Sequence, residues 1–458
     1  MARAKIMTKW LKNKPLRRQL FTLTSPIFVE TLLIMLLGTI DVVMLSRYCE
    51  DTVAAVGVVN QLLNLVFILY GITTLGTSVL CAQYLGAKQN SNVMQTIGVS
   101  ITANLVMGLI VSLGLCLLAP QLLGLMGLTD DLIARGKTYM QIVAGFSFIQ
   151  AVAMTMSSVL RSHNKAYYPM YVTLLMNILN IFGNYLLIFG KWGFPALGAP
   201  GAAISTAVCR FIALMLLGYI LFKKVVPQFS LSYLKPFPWD KVKNLMIIGL
   251  PAAGEQVSYN LSQVVITYFS VMIGTAALTA RTYAMNIVMF SYVFAIALGQ
   301  GAAISIGHLI GADRDNAAFS VEKYSIKLSV IISVMISILT ALAGTNIFKM
   351  LSANPDVIKI GAVVLYIDIV LEIGRAVNIT SVNSLNAAGD VFYPFMTGVI
   401  VMWGVATLCA YILGVWWGWG LAGIWLAMTL DENIRAVVFE RRWKSRKWQS
   451  KAFTRRKA

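Results

Sequence analysis

PIFVETLLIMLLGTIDVVML, residues 26–45, decides the fold. Apart from one proline, two acids and a few small polar residues, the run is apolar. As a helix of ~20 residues it rises ~30 Å, the thickness of a bilayer's hydrocarbon core. It is too continuous for the polar–apolar alternation of a membrane barrel strand. A helix is the expected form, because in lipid the backbone must satisfy its own hydrogen bonds. The stretch returns 225 positions later as PAAGEQVSYNLSQVVITYFS, residues 251–270, with Pro26 and Glu30 matched by Pro251 and Glu255.

The same offset relates Gly76 to Gly301, Gly86-Ala87 to Gly311-Ala312, and Leu160 to Leu385. It also relates Tyr168-Pro169 to Tyr393-Pro394 and Trp192-Gly193 to Trp417-Gly418. Twelve apolar runs follow one another, at about 20–45, 53–80, 96–119, 138–160, 168–190, 199–222, 244–271, 276–306, 324–343, 358–384, 392–414 and 419–438. The expected fold is an all-α polytopic membrane protein, with twelve transmembrane helices in two six-helix repeats forming N- and C-lobes around a central cavity. Six spans per half give both halves the same orientation, so the repeats are parallel. The expected division is an N-lobe at 1–222, a cytoplasmic linker at 223–243, a C-lobe at 244–438 and a basic cytoplasmic tail at 439–458. Gly86 and Gly311 are expected at helix C-termini, and Pro169 and Pro394 in first helical turns.

Composition agrees. Of 458 residues, 58% are hydrophobic and 12% charged, where a soluble domain carries about 25% charge. The net charge of +19 has a topological explanation rather than a nucleic-acid partner. With both termini in the cytoplasm, outer loops hold only Arg47, Arg135, Lys137, Lys191, Lys349 and Lys359, while most of the 37 basic residues fall inside. That asymmetry is the positive-inside rule. The run RRWKSRKW is also suited to anionic lipid headgroups. The N-terminal arm leads into a segment too long for a signal h-region, so no cleavable signal is expected. The five cysteines are scattered, without ligand spacing, which points to neither a structural disulfide nor a metal site.

Ionisable residues are costly at mid-bilayer and mark functional positions. Glu30 and Glu255 are repeat equivalents, each about ten residues into its span. A carboxylate there can take up a proton, help coordinate Na+, or serve as a hydrogen-bonded structural group. Asp41, eleven residues beyond Glu30, returns to nearly the same face about 16 Å along the helix. Its repeat position is Ile266, so this acid belongs to one half only. Asp368, Glu372 and Arg375 form a stripe whose counterparts are Val143, Ser147 and Gln150. Glu372 and Arg375 can pair, structurally or as a switchable partner for Glu255. Asp431 and Arg435 are spaced for a salt bridge, and Arg210 and Arg281 for interfacial or pairing roles. Asn177, Asn180 and Asn184 share one helix face, where they line a polar cavity or join helices by hydrogen bonds.

Several chemistries lack their residues. The fragment Arg135-Gly136-Lys137-Thr138 has the ending of a phosphate loop but Asp131 at the first glycine position. There is no HExxH or GxSxG, and the only histidines, His163 and His308, sit at inner loop ends. The protein is therefore expected not to be an enzyme and to need no cofactor. Uphill transport would draw on an ion gradient of H+ or Na+. One charge crossing 100 mV yields ~2.3 kcal/mol.

Along nearly its whole length the chain resembles the MATE (multidrug and toxic compound extrusion) family. The matching pieces are TLLIMLLGTIDVVMLSR with VAAVG, QYLGAKQ, GLPAAGEQ, LSQVVITYFSVMIGTAALTA, SLNAAGDVFYP and GWGLAGIWLAMTLDENIRAVVFERRW. The resemblance implies two six-helix bundles enclosing a cavity. It implies export of cationic or amphipathic small organic molecules across the cell (inner or plasma) membrane, in exchange for H+ or Na+. It implies a coupling role for Asp41 and cation binding by Glu255. In the tenth span the chain departs from the family: Arg375 stands where an Asp is frequent, and Glu372, one turn earlier, is the substitute. Asp41, Glu255 and Glu372 are thus the candidate coupling residues. Glu30, Asp368, Arg375, Asn177, Asn180 and Asn184 are accessory. The expected protein is monomeric, with lipids and small molecules as its partners. The rival readings are a flippase for lipid-linked oligosaccharides, which needs several mid-span arginines, a membrane-embedded enzyme and a channel.

Overall fold

A computed structural model describes residues 14–455. The basic arm before Lys14 lies outside the described residues. The helices are α1 (Lys14–Ser46), α2 (Glu50–Gly86), α3 (Asn90–Leu117), α4 (Ala119–Leu125), α5 (Asp130–Gly145), α6 (Ser147–Ser162) and α7 (Tyr167–Phe189). They continue with α8 (Ala199–Tyr219), α9 (Trp239–Ile273), α10 (Thr275–Gly311), α11 (Asp315–Leu351), α12 (Pro355–Ala387), α13 (Phe392–Val401) and α14 (Gly420–Lys444). α5 and α6 form one span interrupted at Phe146, and α13 runs on through wider turns to Trp416. With short α4 set aside, twelve spans result.

Among the described residues, nine helical segments are long and apolar enough to cross a membrane by composition. α9, α12 and α14 fall short of that apolarity. These are the helices that carry Glu255, the Asp368–Arg375 stripe and the Asp431–Arg435 group.

The chain forms two compact units. The N-terminal unit takes Val29–Leu85 and Gln89–Gly249; the C-terminal unit takes the described residues up to Phe28, Gly86–Lys88 and the chain from Leu250. These compact units do not break at 222 and 244. Residues 223–243 belong to the N-terminal unit, because Leu234 seats against Gly98 of α3 and Lys241 lies 5.1 Å from the Tyr84 ring centre. The chain changes units inside α1 and inside α9, near Pro26 and Pro251, which lie within those helices. The residues after 438 are part of the C-terminal unit. There Trp443 and Trp448 stack at 4.3 Å, fully buried in one core with Leu20, Leu298 and Phe439. Most charges of RRWKSRKW have protein partners: Arg442 bonds Asp390, Lys444 bonds Glu440, and Arg446 bonds Asn316.

The repeat survives in the backbone. Left-handed φ values occur at Lys88 and Asp313, at Asn164 and Gly389, and at Gly193 and Gly418, each pair related by the same offset. α2 and α10 end at Gly86 and Gly311 as expected. The left-handed turn comes two residues later, however, and Gly86 is needed for proximity: a β-carbon there would collide with the His308 carbonyl. In the C-terminal unit α12 packs on α10, α11 and α14, which places its polar stripe in the interior.

Candidate functional site

In the N-terminal unit the polar face of α7 is built from three asparagines. Asn177 donates to the Leu33 carbonyl of α1 at 2.7 Å, and Asn180 donates to Thr206 of α8 at 3.2 Å. These two join helices. Asn184 donates to Asp41 Oδ1 at 2.7 Å and to Asn180 Oδ1 at 3.0 Å. Its own Oδ1 is buried without a partner. Asp41 is part-buried, and Arg210 of α8 acts on it through space while lying 5.6 Å from the Phe67 ring centre. An acid held by one amide, with a second amide oxygen beside it, can accept a cation or proton without dismantling the helix contacts.

In the C-terminal unit a denser network joins α12 to α14. Arg375 pairs with Glu372 inside α12 and approaches Glu432 Oε1 to 3.9 Å. Arg435 pairs with Asp431 at 2.5 Å and with Glu432 at 3.1 Å. Asn378 donates to Glu432 Oε2 at 2.6 Å, and the Trp425 indole donates to Asp368 Oδ1 at 3.1 Å. Tyr292 of α10 offers its ring to Arg375 at 4.9 Å. All six charged residues are buried. Four acids face two arginines, so the network keeps formal negative charge that its own cations do not cancel. Arg281 has no acid partner among the described residues; it donates to Gln263 at 2.9 Å and to Thr267 at 3.3 Å and lies 5.8 Å from the Trp425 ring centre.

Glu30 and Glu255 share a repeat position but differ in their surroundings. Glu30 accepts from Arg161 Nη2 at 2.6 Å. Glu255 has neither a hydrogen bond nor an ion pair among the described residues. It is part-buried on α9, feels Arg435 and Glu432 through space, and lies beside Gly398 of α13. A β-carbon on Gly398 would stand 3.3 Å from Glu255 Oε1, so glycine leaves room against the carboxylate.

The structure thus brings Asp41 together with Asn184 and Asn180, and Asp368, Glu372 and Arg375 with the group on α14. In this structure Arg375 is engaged by Glu372, Glu432 and Tyr292. Two participants were not singled out from the sequence. Arg161, counted with the inner loops, ends α6 and reaches Glu30. Trp425 reads from the sequence as an ordinary helix residue. Asn378, one of the asparagines the sequence marks within the spans, lies three residues beyond Arg375 on the same stripe.

Comparison with known proteins gives concordant results. The MatE family model matches residues 26–186 and again 251–412, so its two matches start at Pro26 and Pro251. The chain is 41% identical over 432 residues to YisQ of Bacillus subtilis, described as an uncharacterized transporter, covering 94% of this chain and 95% of that one. It is 25% identical over 438 residues to a probable multidrug resistance protein, NorM, of Thermotoga maritima, covering 95% and 94%. A crystal structure of MATE in the bent conformation superposes with a TM-score of 0.86 at 18% identity, covering 94% of this chain and 95% of that one.

Proposed function

The chain belongs to the MatE family of membrane transporters, and on that premise we propose that it is a secondary exporter. It carries cationic or amphipathic small molecules outward across the cell membrane in exchange for H+ or Na+, opening alternately to the two sides. The observation that carries this reading is Glu255. Its repeat equivalent is neutralised by Arg161, whereas Glu255 has no bonded partner among the described residues. A carboxylate left unpaired within a span is stable only if a cation, a proton or a substrate ammonium group occupies it for part of the cycle.

The cycle follows from charge balance. With Glu255 ionised, the negative surplus of Asp368, Glu372, Asp431 and Glu432 over Arg375 and Arg435 favours a cationic substrate. Arrival of H+ or Na+ at Glu255 removes part of that attraction and releases the substrate. Asp41, held by Asn184, provides the second site in the other unit. Both termini face the cytoplasm, and the protein works as a monomer. The flippase alternative asks for arginines free to meet phosphate. Arg375 and Arg435 are neutralised by Glu372, Glu432 and Asp431, which leaves Arg281 as the one buried arginine of the C-terminal unit without an acid among the described residues, where the flippase asks for several.

Ethidium efflux from proteoliposomes, under an imposed pH gradient or an imposed Na+ gradient, tests the assignment and names the ion. Glu255→Gln and Asp41→Asn are each expected to abolish gradient-driven efflux. Full efflux by both variants would remove the assignment, and a single-channel conductance would replace exchange with a pore.

A further inference from the structure

α11 carries an unusual ridge. Ser325, Ser329, Ser333 and Ser337 follow at four-residue intervals, all fully buried, and the hydroxyls of Ser325, Ser329 and Ser333 have no hydrogen-bond partner. A helical serine ordinarily turns its hydroxyl to the carbonyl four residues back; these do not. A buried acid with an unpartnered oxygen stands at each end. At one end is Glu322, fully buried, whose Oε1 accepts from Ser381 at 3.4 Å and whose Oε2 is free. At the other are Asp368 Oδ2 and Glu372 Oε2, both free, with Ser337 facing the Asp368 carboxylate. The register is fixed by Glu322 against Ser381 and by Gly344 against Leu365, so α11 and α12 run antiparallel with the serines between these acids.

The other half shows what the same ridge looks like when closed. On α3 the equivalent positions are Ser100, Asn104, Gly108 and Ser112. Ser112 bonds Ser147 at 2.9 Å, Asn104 donates to Thr155 at 2.7 Å, and Thr77 donates to Ser100 at 2.7 Å. There direct side-chain bonds fill the seam. On α11 they are missing, and side chains four apart on a helix are about 5–6 Å from one another. That spacing fits one water bridging successive hydroxyls.

We propose that the serine ridge of α11 holds a file of water molecules that relays protons between Glu322 and the Asp368–Glu372 pair. A proton delivered by the Glu322 carboxyl passes to the first water. Each oxygen in turn accepts one proton and donates another, and the last proton ends on a free carboxylate oxygen of Asp368 or Glu372. No hydroxyl changes its composition, and rotation of the file resets it. Around Glu322 stand Lys323 on its own helix and Glu440 and Lys444 of α14, the last two a partly exposed pair bonded at 2.6 Å. Around the far end stand Arg375, Glu432, Tyr292 and Trp425. The proton flux of this path rests on the exporter reading; the water file does not.

Val and Thr have the same shape, so Ser329→Val/Ser333→Val and Ser329→Thr/Ser333→Thr differ only in the hydroxyls. Hydroxyl-radical footprinting in 18O water labels buried peptides where water stands. Labelling over residues 320–340 is expected in the wild type and the Thr pair, and to be lost in the Val pair. In proteoliposomes with internal pyranine and added ethidium, proton entry is expected to slow about tenfold or more in the Val pair and to stay near wild type in the Thr pair. Glu322→Gln is expected to keep the label and lose the flux, which covers the case in which neither serine pair folds. An unlabelled wild type, equal label in the Val and wild-type proteins, equal slowing of Val and Thr pairs, or normal flux in Glu322→Gln would overturn the relay. If no gradient moves ethidium in the wild type, the exporter reading fails while the footprint still decides the water file.

Discussion

Arg161, at the last turn of α6, donates to Glu30 Oε1 across 2.6 Å and neutralises the only membrane carboxylate of α1 other than Asp41. The Arg161 side chain is 23% exposed and that of Glu30 6%, so the pair is partly screened. Glu30→Gln or Arg161→Gln should each cost about 1–3 kcal/mol of stability, less than a fully buried pair would. The double variant should recover part of that loss, since neither charge is then left alone. Thermal unfolding in detergent reads all three. Glu255→Gln should leave stability nearly unchanged, because it breaks no bond.

Asn184 is the single hydrogen-bond donor to Asp41 among the described residues. A hydrogen bond to a charged group contributes about 1.5–3 kcal/mol. Asn184→Ala should therefore shift the ion concentration that half-saturates efflux by about ten- to hundredfold while the maximal rate stays measurable. Asn177→Ala, which removes only a bond to the Leu33 carbonyl, should lower the unfolding temperature and leave ion dependence in place.

His163 follows α6, outside the span, and burial pushes its imidazole below the ordinary value of 6.5, opposed by its bond with the Val159 carbonyl at 2.8 Å. Because the folded value is the lower one, the unfolded chain takes the proton first as pH falls. The stabilisation is complete above 6.5 and declines as pH drops from there toward the folded value. Unfolding temperature should fall between pH 7 and pH 5, and His163→Gln should flatten part of that fall. An identical pH profile in the variant would remove His163 from the account.

Trp448 is fully buried and stacks on Trp443 with the rings 11° from parallel. Trp448→Ala should cost about 3–5 kcal/mol, the range for deleting a large aromatic from a core. Arg455→Ala, which loses bonds to Asp313 and Asp315 with its own side chain 28% exposed, should cost far less. Parallel unfolding curves separate the two.

The spans were legible because lipid leaves a helix one way to be stable, and a run such as PIFVETLLIMLLGTIDVVML states that in composition alone. The repeat was legible because identical residues fell at one offset. The acids announced themselves by cost. What the sequence withheld was partnership across helices. Nothing in the spacing of Glu30 and Arg161, or of Asp41 and Asn184, tells that they meet, because that depends on how helices rotate and pack. The limits of the compact units are illegible for a similar reason: the polar loop 223–243 joins the N-terminal unit through Leu234, whose contact with Gly98 no spacing announces.

The core shared by Leu20, Phe439, Trp443 and Trp448 sets an order of assembly. A ribosome adding about 5–20 residues per second makes Leu20 tens of seconds before its tryptophan neighbours exist. The first half of α1 therefore lacks these partners until residues 439–448 have been made. A variant that delays Trp448 or weakens its stacking lengthens that interval, and its first symptom would be lower abundance rather than slower transport.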